Sequence, residues 1–378
     1  MKIGVVCHPT FGGSGVMATE LANHLGRLGH DLHVISYALP VRLDPFNAQV
    51  HFHEVQVQDY PLFLYQPYEL ALSSAMVETV RKEKLDILHV HYAIPHAYAA
   101  FMARQILMDH GVDIPVVTTL HGTDITLVGQ LPAYKPAVAF SINHSTAVTA
   151  VSESLRRETI AQFDIQREIL VVPNFVDVKR YGRGDAAARA HIAHPDEAIL
   201  CHVSNFRKVK RIPDVLHIFS KVRAQRPSKL VLVGDGPERL PAERLAAELG
   251  ISQDVLFFGK TSDVERILGV SDLFLLPSET ESFGLAALEA MASSVPVIAS
   301  RAGGLPEVIT HGVNGYLEDI GDVSGMAQRA LHILSSESTL AMFSQQALEA
   351  SHRFSMEQIG QTYLKLYTSL IHGGEANG

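Results

Sequence analysis

The sequence has no tryptophan, only two cysteines, no excess of positive charge and no long apolar run. Cys7 and Cys201 each lie inside an apolar strand-like segment, so buried reduced thiols are expected rather than a disulfide scaffold. A net charge of −9 argues against nucleic-acid binding, which needs a basic face. No run approaches the roughly 20 apolar residues that span a bilayer. The segment Met1–Cys7 is too short for a signal peptide, so a cytoplasmic protein without a membrane anchor is expected.

What the sequence does contain is a repeated alternation of strand-like and helix-like segments. The length of 378 residues predicts two domains of about 150–200 residues each. Short apolar runs followed by turns and by helical spacing predict a parallel sheet covered on both faces in each domain, an α/β fold with doubly wound sheets. In such sheets ligands bind at the carboxyl ends of the strands. The predicted domains are residues 1–172 and 173–350, followed by a C-terminal helix over 351–372.

The first strand runs into a glycine-rich loop at residues 8–15, and a helix is predicted from Val16 to about Leu28. The run from Gly13 to Ala18 matches the dinucleotide fingerprint G-x-G-x-x-A. A dehydrogenase would also need an acidic residue at the end of the second strand, where the sequence has Ser36 instead. The loop can still offer backbone N–H groups to a phosphate or a carboxylate, or be a tight turn without a ligand.

Two further strands end in polar turns. The first turn contains His89, His91 and His96 with Tyr92, and lacks a nearby cysteine or acidic ligand, so histidines of the core or of a cleft are favoured over a metal site. Tyr92 is expected on the opposite face from His91 or just past the strand end. The second turn places His121 before a glycine, where it can donate to a ligand or transfer a proton.

The second half contributes charged groups. Four cations lie within residues 207–211, after the first strand of that half, and they predict a diphosphate clamp or, alternatively, a solvated basic loop. Glu281 and Glu289 are eight residues apart, so they are expected on one face of a helix that starts after an apolar strand. The helix start at Ser282–Leu285 can present free N–H groups, although a solvated helix with two glutamates in step is also compatible with this spacing.

Taken together, these motifs resemble those of the GT-B glycosyltransferases of retaining family 4, and they occur in the family's order over nearly the whole chain. They comprise the Gly12–Gly15 loop, His121, the Arg207/Lys210 pair, Gly234–Gly236, Glu281–Gly284 with Glu289, and Gly303–Glu307. The resemblance implies two Rossmann-like domains that face each other across a cleft, with a C-terminal helix that crosses back to the first, acceptor-binding domain. One departure is visible, since the family's Gly-Arg after the first strand of the second domain reads Asn205-Phe206-Arg207.

Within the family, four runs are similar to the bacillithiol-pathway branch, namely Gly12–Gly15, His89–His96, Thr119–Asp124 and Ser204–Arg211. That similarity implies transfer of GlcNAc from UDP-GlcNAc to the hydroxyl of L-malate with retention of configuration. The implied catalytic residues are His121, Glu281, Arg207 and Lys210. The implied donor-binding residues are Gly12, Gly13, Asn205, Arg207, Lys210, Glu281, Ser282, Phe283, Gly284, Leu285 and Glu289, with Glu289 on the ribose diol. Ser14, Tyr92 and Thr123 are the implied acceptor-binding residues.

No Asp-x-Asp metal motif is found, so neither a metal nor another cofactor is expected. Several alternatives stay open: a family 4 enzyme with another small or lipid acceptor, a GT-B UDP-GlcNAc 2-epimerase and a sugar-nucleotide sensor without catalysis. A lipid acceptor is disfavoured because no basic amphipathic run is seen in the first domain, and NAD binding is disfavoured by the missing acidic residue. A homo-oligomer is left open.

Overall fold

The computed structural model describes residues 1–10, 12–58, 62–184, 186–261 and 263–373. Within these residues the chain forms two compact units. The first contains Met1–Asn174 together with the chain from Met356 onward, and the second is Phe175–Ser355.

The first unit is built on a seven-stranded sheet, counted over the described residues, in which every pair is parallel. Its strands are β1 (Lys2–Val6), β2 (Asp31–Ser36), β3 (Val50–Glu54), β4 (Ile87–His91), β5 (Val116–Leu120), β6 (Ala147–Ala150) and β7 (Ile169–Val171). Their order is β3-β2-β1-β4-β5-β6-β7. The connecting helices are α1 (Gly13–Arg27), α2 (Tyr68–Glu83), α3 (Tyr98–Met108), α4 (Thr123–Thr126), α5 (Lys135–His144) and α6 (Glu153–Gln162).

The second unit repeats this design with six parallel strands among the described residues. They are β8 (Ala198–Val203), β9 (Ser228–Val233), β10 (Val255–Gly259), β11 (Leu273–Leu276), β12 (Val297–Ser300) and β13 (Gly315–Glu318), in the order β10-β9-β8-β11-β12-β13. The helices are α7 (Ala186–Ala190), α8 (Ile212–Arg223), α9 (Arg239–Glu248), α10 (Val264–Val270), α11 (Leu285–Ala292), α12 (Leu305–Val308), α13 (Val323–Ile333) and α14 (Glu337–Ser351). The predicted pair of doubly wound sheets is confirmed.

The terminal helix α15 (Met356–Gly373) belongs to the first unit. Its buried residues recur at helical spacing and form one apolar face, namely Met356, Ile359, Gly360, Tyr363 and Tyr367. Gly360 lets the helix approach α1 closely, since a Cβ atom there would lie 2.7 Å from the ring of His24.

The unit boundaries differ by a few residues from the predicted 172/173 and 350/351. Residues 351–355 stay with the second unit because Val176 N donates to the carbonyl of Phe354 at 2.9 Å. The Phe354 ring also packs edge-on against Phe283, with centroids 5.5 Å apart. Backbone pairing and aromatic packing, neither visible in a local pattern, therefore decide where the chain passes between units.

In both sheets the strand order reverses at one point, between β1 and β4 in the first unit and between β8 and β11 in the second. Loops leaving neighbouring strands in opposite directions leave a crevice there, which is where doubly wound sheets bind ligands. Both cysteines are free and buried, and burial raises the pKa of Cys7 and of Cys201 to about 12. No helix among the described residues has the length and apolarity needed to cross a membrane.

Candidate active site

The predicted site residues fall into two sets, one on each unit. The N-terminal half-site comprises Gly12, Gly13, Ser14, Tyr92, His121 and Thr123, and the C-terminal half-site comprises Asn205, Arg207, Lys210, Glu281–Leu285 and Glu289. Their loops follow the carboxyl ends of β1, β4 and β5 in the first unit and of β8 and β11 in the second. Apart from Glu289, which lies within a helix, each set therefore surrounds the reversal point of its own sheet.

The N-terminal half-site begins at the start of α1. The helix starts at Gly13, three residues earlier than predicted, so Ser14 lies in its first turn and is buried rather than in a loop. Gly15 permits this early start because a Cβ atom there would lie 2.3 Å from the carbonyl oxygen of His8. The first turn of α1 contains no acidic residue, and no side chain of the described residues caps it, so its N–H groups suit an anion. Phe11, in the predicted loop, lies outside the described residues.

Tyr92 and His121 lie side by side after neighbouring strands. Their ring centroids are 5.6 Å apart and their planes are 28° from parallel. Tyr92 lies just past the end of β4 with φ of 87°, one of the two predicted positions. The carboxylate of Asp124 fixes both turns, because it accepts backbone N–H groups from Ala93 at 3.0 Å, Gly122 at 2.9 Å and His121 at 3.3 Å. Asp124 therefore ties together the turns that follow β4 and β5.

The ring of His121 is bonded on one side to a buried neighbour. Its Nε2 lies 2.8 Å from Nδ1 of His91, whose own Nε2 is buried and has no hydrogen-bond partner among the described residues. An unpartnered buried N–H is costly, so we assign the proton of this bond to His91 Nδ1. His121 then accepts at Nε2 and carries its proton on Nδ1. Burial, helped by the nearby His8, lowers the pKa of His121 to about 3, so the ring is a neutral hydrogen-bond donor near pH 7.

Behind this pair lies a buried hydrogen-bonded network that includes the terminal helix. Both ring nitrogens of His89 are engaged, Nε2 with Thr119 Oγ1 at 2.7 Å and Nδ1 with the Tyr367 hydroxyl at 2.6 Å. Thr119 Oγ1 also contacts Thr149 Oγ1 at 2.7 Å and the Tyr363 hydroxyl at 3.3 Å. Helix α15 is thus part of the support for the strands that carry Tyr92 and His121. Thr123, half-buried, is the first residue of α4.

In the C-terminal half-site, the cationic loop is held by close backbone packing. A Cβ atom on Gly234 would lie 1.7 Å from the carbonyl oxygen of Ser204, and one on Gly236 would lie 2.3 Å from that of Asn205. Only glycine allows this approach. Phe206 has φ of 36° and a fully buried side chain, so the residue that replaces the family's glycine adopts a conformation that glycine would favour. Its buried ring offsets that strain, and Arg207 follows it as an exposed side chain.

The loop after β8 and the loop after β11 are joined directly. Glu279 N donates to the carbonyl of Val209 at 2.8 Å, and beside this bond Lys210 Nζ lies 2.6 Å from Glu281 Oε1. The hydroxyl of Ser278 donates to the same oxygen at 2.9 Å. The structure therefore brings together two of the predicted catalytic residues, as a half-buried ion pair at the sheet's reversal point.

The other cations differ in their surroundings. Arg211 forms an ion pair with Asp214 at 2.6 Å, so it stabilises the start of α8. Arg207 and Lys208 are exposed, and no ion pair involves either of them in the part of the chain that the structure describes. These two side chains, unlike Arg211, are available to an anionic ligand.

The expectation that Glu281 and Glu289 share one helix face is wrong. Gly284 has φ of 98° and immediately precedes α11, which begins only at Leu285, so Glu281 lies in the loop and not on the helix. Glu289 lies within α11, where its side chain is buried and its carboxylate accepts a hydrogen bond from the Tyr181 hydroxyl at 2.8 Å. The eight-residue spacing does not place the two glutamates on one face, because the loop that ends at Gly284 interrupts the helical period between them.

The start of α11 nevertheless keeps the predicted backbone donors. The first intrahelical bond runs from Leu288 N to the carbonyl of Gly284, so the preceding N–H groups point out of the helix end. Gly304 N donates to the carbonyl of Glu281 at 2.9 Å and thereby positions this loop. The side chain of Phe283 is buried, so only its backbone is available to a ligand.

Several supporting residues were missed by sequence reasoning. His202 is buried on β8 and connects the carbonyl of Leu275 to the Ser204 hydroxyl, both at 2.8 Å. Burial lowers the pKa of His202 to about 4, so it stays neutral. Ser278 and Tyr181, which bind the two glutamates, were missed as well. Ser278 could have been predicted, because it is a polar residue just after the end of β11. Tyr181 could not, because it is far from Glu289 in the sequence.

Comparison with known proteins identifies the group to which the chain belongs. The family described as "Glycosyltransferase Family 4" matches residues 11–180, and "Glycosyl transferases group 1" matches residues 185–350. In solved structures, the sucrose-phosphate synthase of Thermosynechococcus elongatus superposes with a TM-score of 0.81 at 19% identity, over 99% of this chain and 100% of that one. The Anabaena protein HepE, in complex with UDP and glucose, gives 0.80 at 20% identity, over 98% and 100%. These structures confirm the GT-B fold.

One curated relative is similar over nearly the full length. It is N-acetyl-alpha-D-glucosaminyl L-malate synthase of Bacillus anthracis, 45% identical over 98% of this chain and 97% of its own. A D-inositol 3-phosphate glycosyltransferase of Nocardia farcinica is 29% identical, over 89% and 74% respectively. The sequence resemblance is confirmed by these matches and by the fold. The chain belongs to glycosyltransferase family 4.

Proposed function

We propose that the protein is a retaining transferase that moves GlcNAc from UDP-GlcNAc to the hydroxyl of L-malate, the first step of bacillithiol biosynthesis. The observation that carries this proposal is the 45% identity to the L-malate synthase, which extends over nearly the whole chain. The other relative is named for an inositol phosphate acceptor and is less similar. The buried reduced thiols are compatible with a cytoplasmic enzyme.

The donor is assigned to the C-terminal half-site. Arg207 and Lys210 would neutralise the diphosphate of the leaving UDP, whose charge grows in the transition state, where fixed cations help most. The N–H groups at the start of α11 would add hydrogen bonds to the same anion. Asn205 lies in the same loop as Arg207, exposed to solvent.

Glu281 is assigned to the sugar. Its Oε1 already accepts from Lys210 and Ser278, so its position is fixed before the donor arrives. Its remaining acceptor capacity suits sugar hydroxyls. Glu289, positioned by its hydrogen bond from the Tyr181 hydroxyl, would accept hydrogen bonds from the two ribose hydroxyls. Since the leaving phosphate can take the acceptor's proton on the same face of the sugar, the proposal needs no enzymic nucleophile and no metal.

L-Malate, a small dianion, is assigned to the N-terminal half-site. The uncapped start of α1 at Gly12–Ser14 suits one carboxylate, and Tyr92 and Thr123 provide hydroxyl groups nearby in the fold. His121, neutral and protonated on Nδ1, would donate to a hydroxyl of the sugar. With its low pKa it is a poor proton acceptor at neutral pH, so the donor role is favoured over proton transfer.

The test is to measure UDP release from UDP-GlcNAc with L-malate, without an acceptor, and with D-malate or inositol phosphate. We expect release that depends on L-malate and a product whose mass and anomeric NMR coupling fit an α-glycoside. Release without any acceptor would indicate hydrolysis or epimerase-like chemistry instead. UDP release with inositol phosphate but not with L-malate would agree with a family 4 enzyme and would show that the proposed acceptor is wrong.

A further inference from the structure

Four side chains of metal-binding types lie together on the first sheet, away from the N-terminal half-site. Asp31 and His33 are two residues apart on β2, and His51 and His53 are two residues apart on β3, so each pair projects from one face of its strand. The parallel register places His33 beside His51. All four lie in the edge strand β3 and its neighbour, at the C-terminal end of α2.

The distances fit a small cation. His51 Nε2 is 2.9 Å and His33 Nε2 is 3.6 Å from Asp31 Oδ1, and ligand atoms of the three residues lie within 4.8 Å of one another. Ligands about 2.1 Å from a tetrahedral zinc ion are separated by comparable distances. Since the His51 side chain is about half exposed (48%), it can move by the small distance needed to reach zinc-binding geometry.

The surroundings of the buried His33 are a second, independent observation. His33 is only 2% exposed, and its Nε2 has no hydrogen-bond partner among the described residues, although it is directed at Asp31 and His51. Its other nitrogen, Nδ1, is 2.8 Å from His53 Nε2. A histidine that binds a metal through one nitrogen characteristically bonds a second group through the other, and His53 occupies that position.

The charges around the cluster are compatible with a cation. Asp31 supplies the carboxylate of the cluster, and Nε2 of both His33 and His51 lies within 3.6 Å of its Oδ1. The Lys2 ammonium is 3.7 Å from Asp31 Oδ2, and it also donates to the carbonyl of Glu83, which keeps it on the far oxygen of the carboxylate.

We propose that Asp31, His33 Nε2 and His51 Nε2 bind one Zn²⁺ ion, with water as the fourth ligand and His53 orienting His33. Two imidazole nitrogens favour zinc and similar transition metals over Mg²⁺ or Ca²⁺. The ligands lie in the amino-terminal halves of β2 and β3, whereas the half-site lies at the carboxyl ends of the strands. The ion therefore ties the edge strand to the sheet and takes no part in the transfer.

The test is calorimetric titration of Zn²⁺ into the chelator-treated full chain. We expect one saturable site per chain, no heat with Mg²⁺, and a higher unfolding temperature with zinc. His51→Ala, at an exposed position, abolishes the site without unfolding the protein. His53→Ala lowers the zinc affinity by about 10–100-fold. His110→Ala removes an exposed histidine of the same unit and is the matched control, which should bind as the unmodified chain does.

The proposal is overturned if no saturable zinc site is found, or if His51→Ala binds zinc as tightly as His110→Ala does. A zinc requirement for the transfer reaction would overturn the structural role assigned to the ion. Because zinc binding and UDP release are measured separately, failure of this proposal is distinguishable from failure of the proposed function.

Discussion

The polar side chains of the N-terminal half-site are uncharged and lie against a buried histidine network, whereas the C-terminal half-site is organised around a close pair of opposite charges. His121 and His91 are held neutral by burial, and their lowered pKa values are set by desolvation above all. Lys210 and Glu281 instead lie 2.6 Å apart at a partly open position. A neutral donor array suits hydroxyl groups, and fixed charges suit a diphosphate. The two units thus use one sheet topology for different chemistry.

The largest effect is expected from Glu281→Ala in the charged half. Loss of a preorganised transition-state contact costs about 10²–10³-fold in turnover, and the thermal unfolding temperature should change little because the side chain is not part of the core. Glu279→Ala, at an exposed position two residues away, is the control and should retain near-normal turnover. A large loss of thermal stability in Glu281→Ala would assign the ion pair a structural role instead.

Arg207→Ala tests the diphosphate clamp. Hydrogen bonds to charged groups contribute about 1.5–3 kcal/mol, so UDP should bind roughly 10–100-fold more weakly, and turnover should fall as well. Isothermal titration with UDP measures this directly. Lys208→Ala removes a neighbouring exposed cation and should have a much smaller effect, since Lys208 is not among the proposed ligands. Unchanged UDP affinity in Arg207→Ala would show that the clamp assignment is wrong.

Tyr367→Phe tests the buried hydrogen-bonded network that supports the N-terminal half-site. It leaves His89 Nδ1 without its 2.6 Å partner, and an unsatisfied buried group costs about 1–3 kcal/mol of unfolding free energy. Urea denaturation measures the loss. Tyr363→Phe removes a longer contact, 3.3 Å, and should cost less. The reverse ranking would mean that the network is held mainly through Thr119.

The smallest effect is expected in the pH dependence of turnover. Because the pKa of His121 is lowered to about 3, this ring does not titrate between pH 5 and 8. Burial raises the pKa of Asp124 to about 6, so below that pH the carboxyl is protonated and loses acceptor capacity for the turns that hold His121 and Tyr92. Turnover at saturating substrate should therefore fall by about half near pH 6.

The same profile measured on His121→Asn separates the two groups. We expect a lower overall rate with the fall still centred near pH 6, because Asp124 is unchanged. If the fall disappears in His121→Asn, then His121 itself titrates in this range and the neutral-donor interpretation is wrong.

Much of the fold and part of the site were open to prediction. The alternation of strands and helices and the two parallel sheets were predicted correctly, because short apolar runs ending in glycine or polar turns are local signals. The start of α1 and the helix face shared by Glu281 and Glu289 were predicted wrongly. Both errors arose at glycines, because Gly15 packs against the His8 carbonyl and Gly284 has φ of 98°, and a helical period predicts neither.

The sequence by itself determined the alternation of strands and helices, the family and the loops that carry polar groups, since these depend on neighbouring residues. Only the tertiary structure decided which of those groups meet. Lys210 and Glu281 are 71 positions apart, and Tyr367 and His89 are 278 apart. Such pairs form because parallel strands bring their carboxyl ends to one edge and the terminal helix packs its buried face onto the first unit. No local pattern encodes that placement.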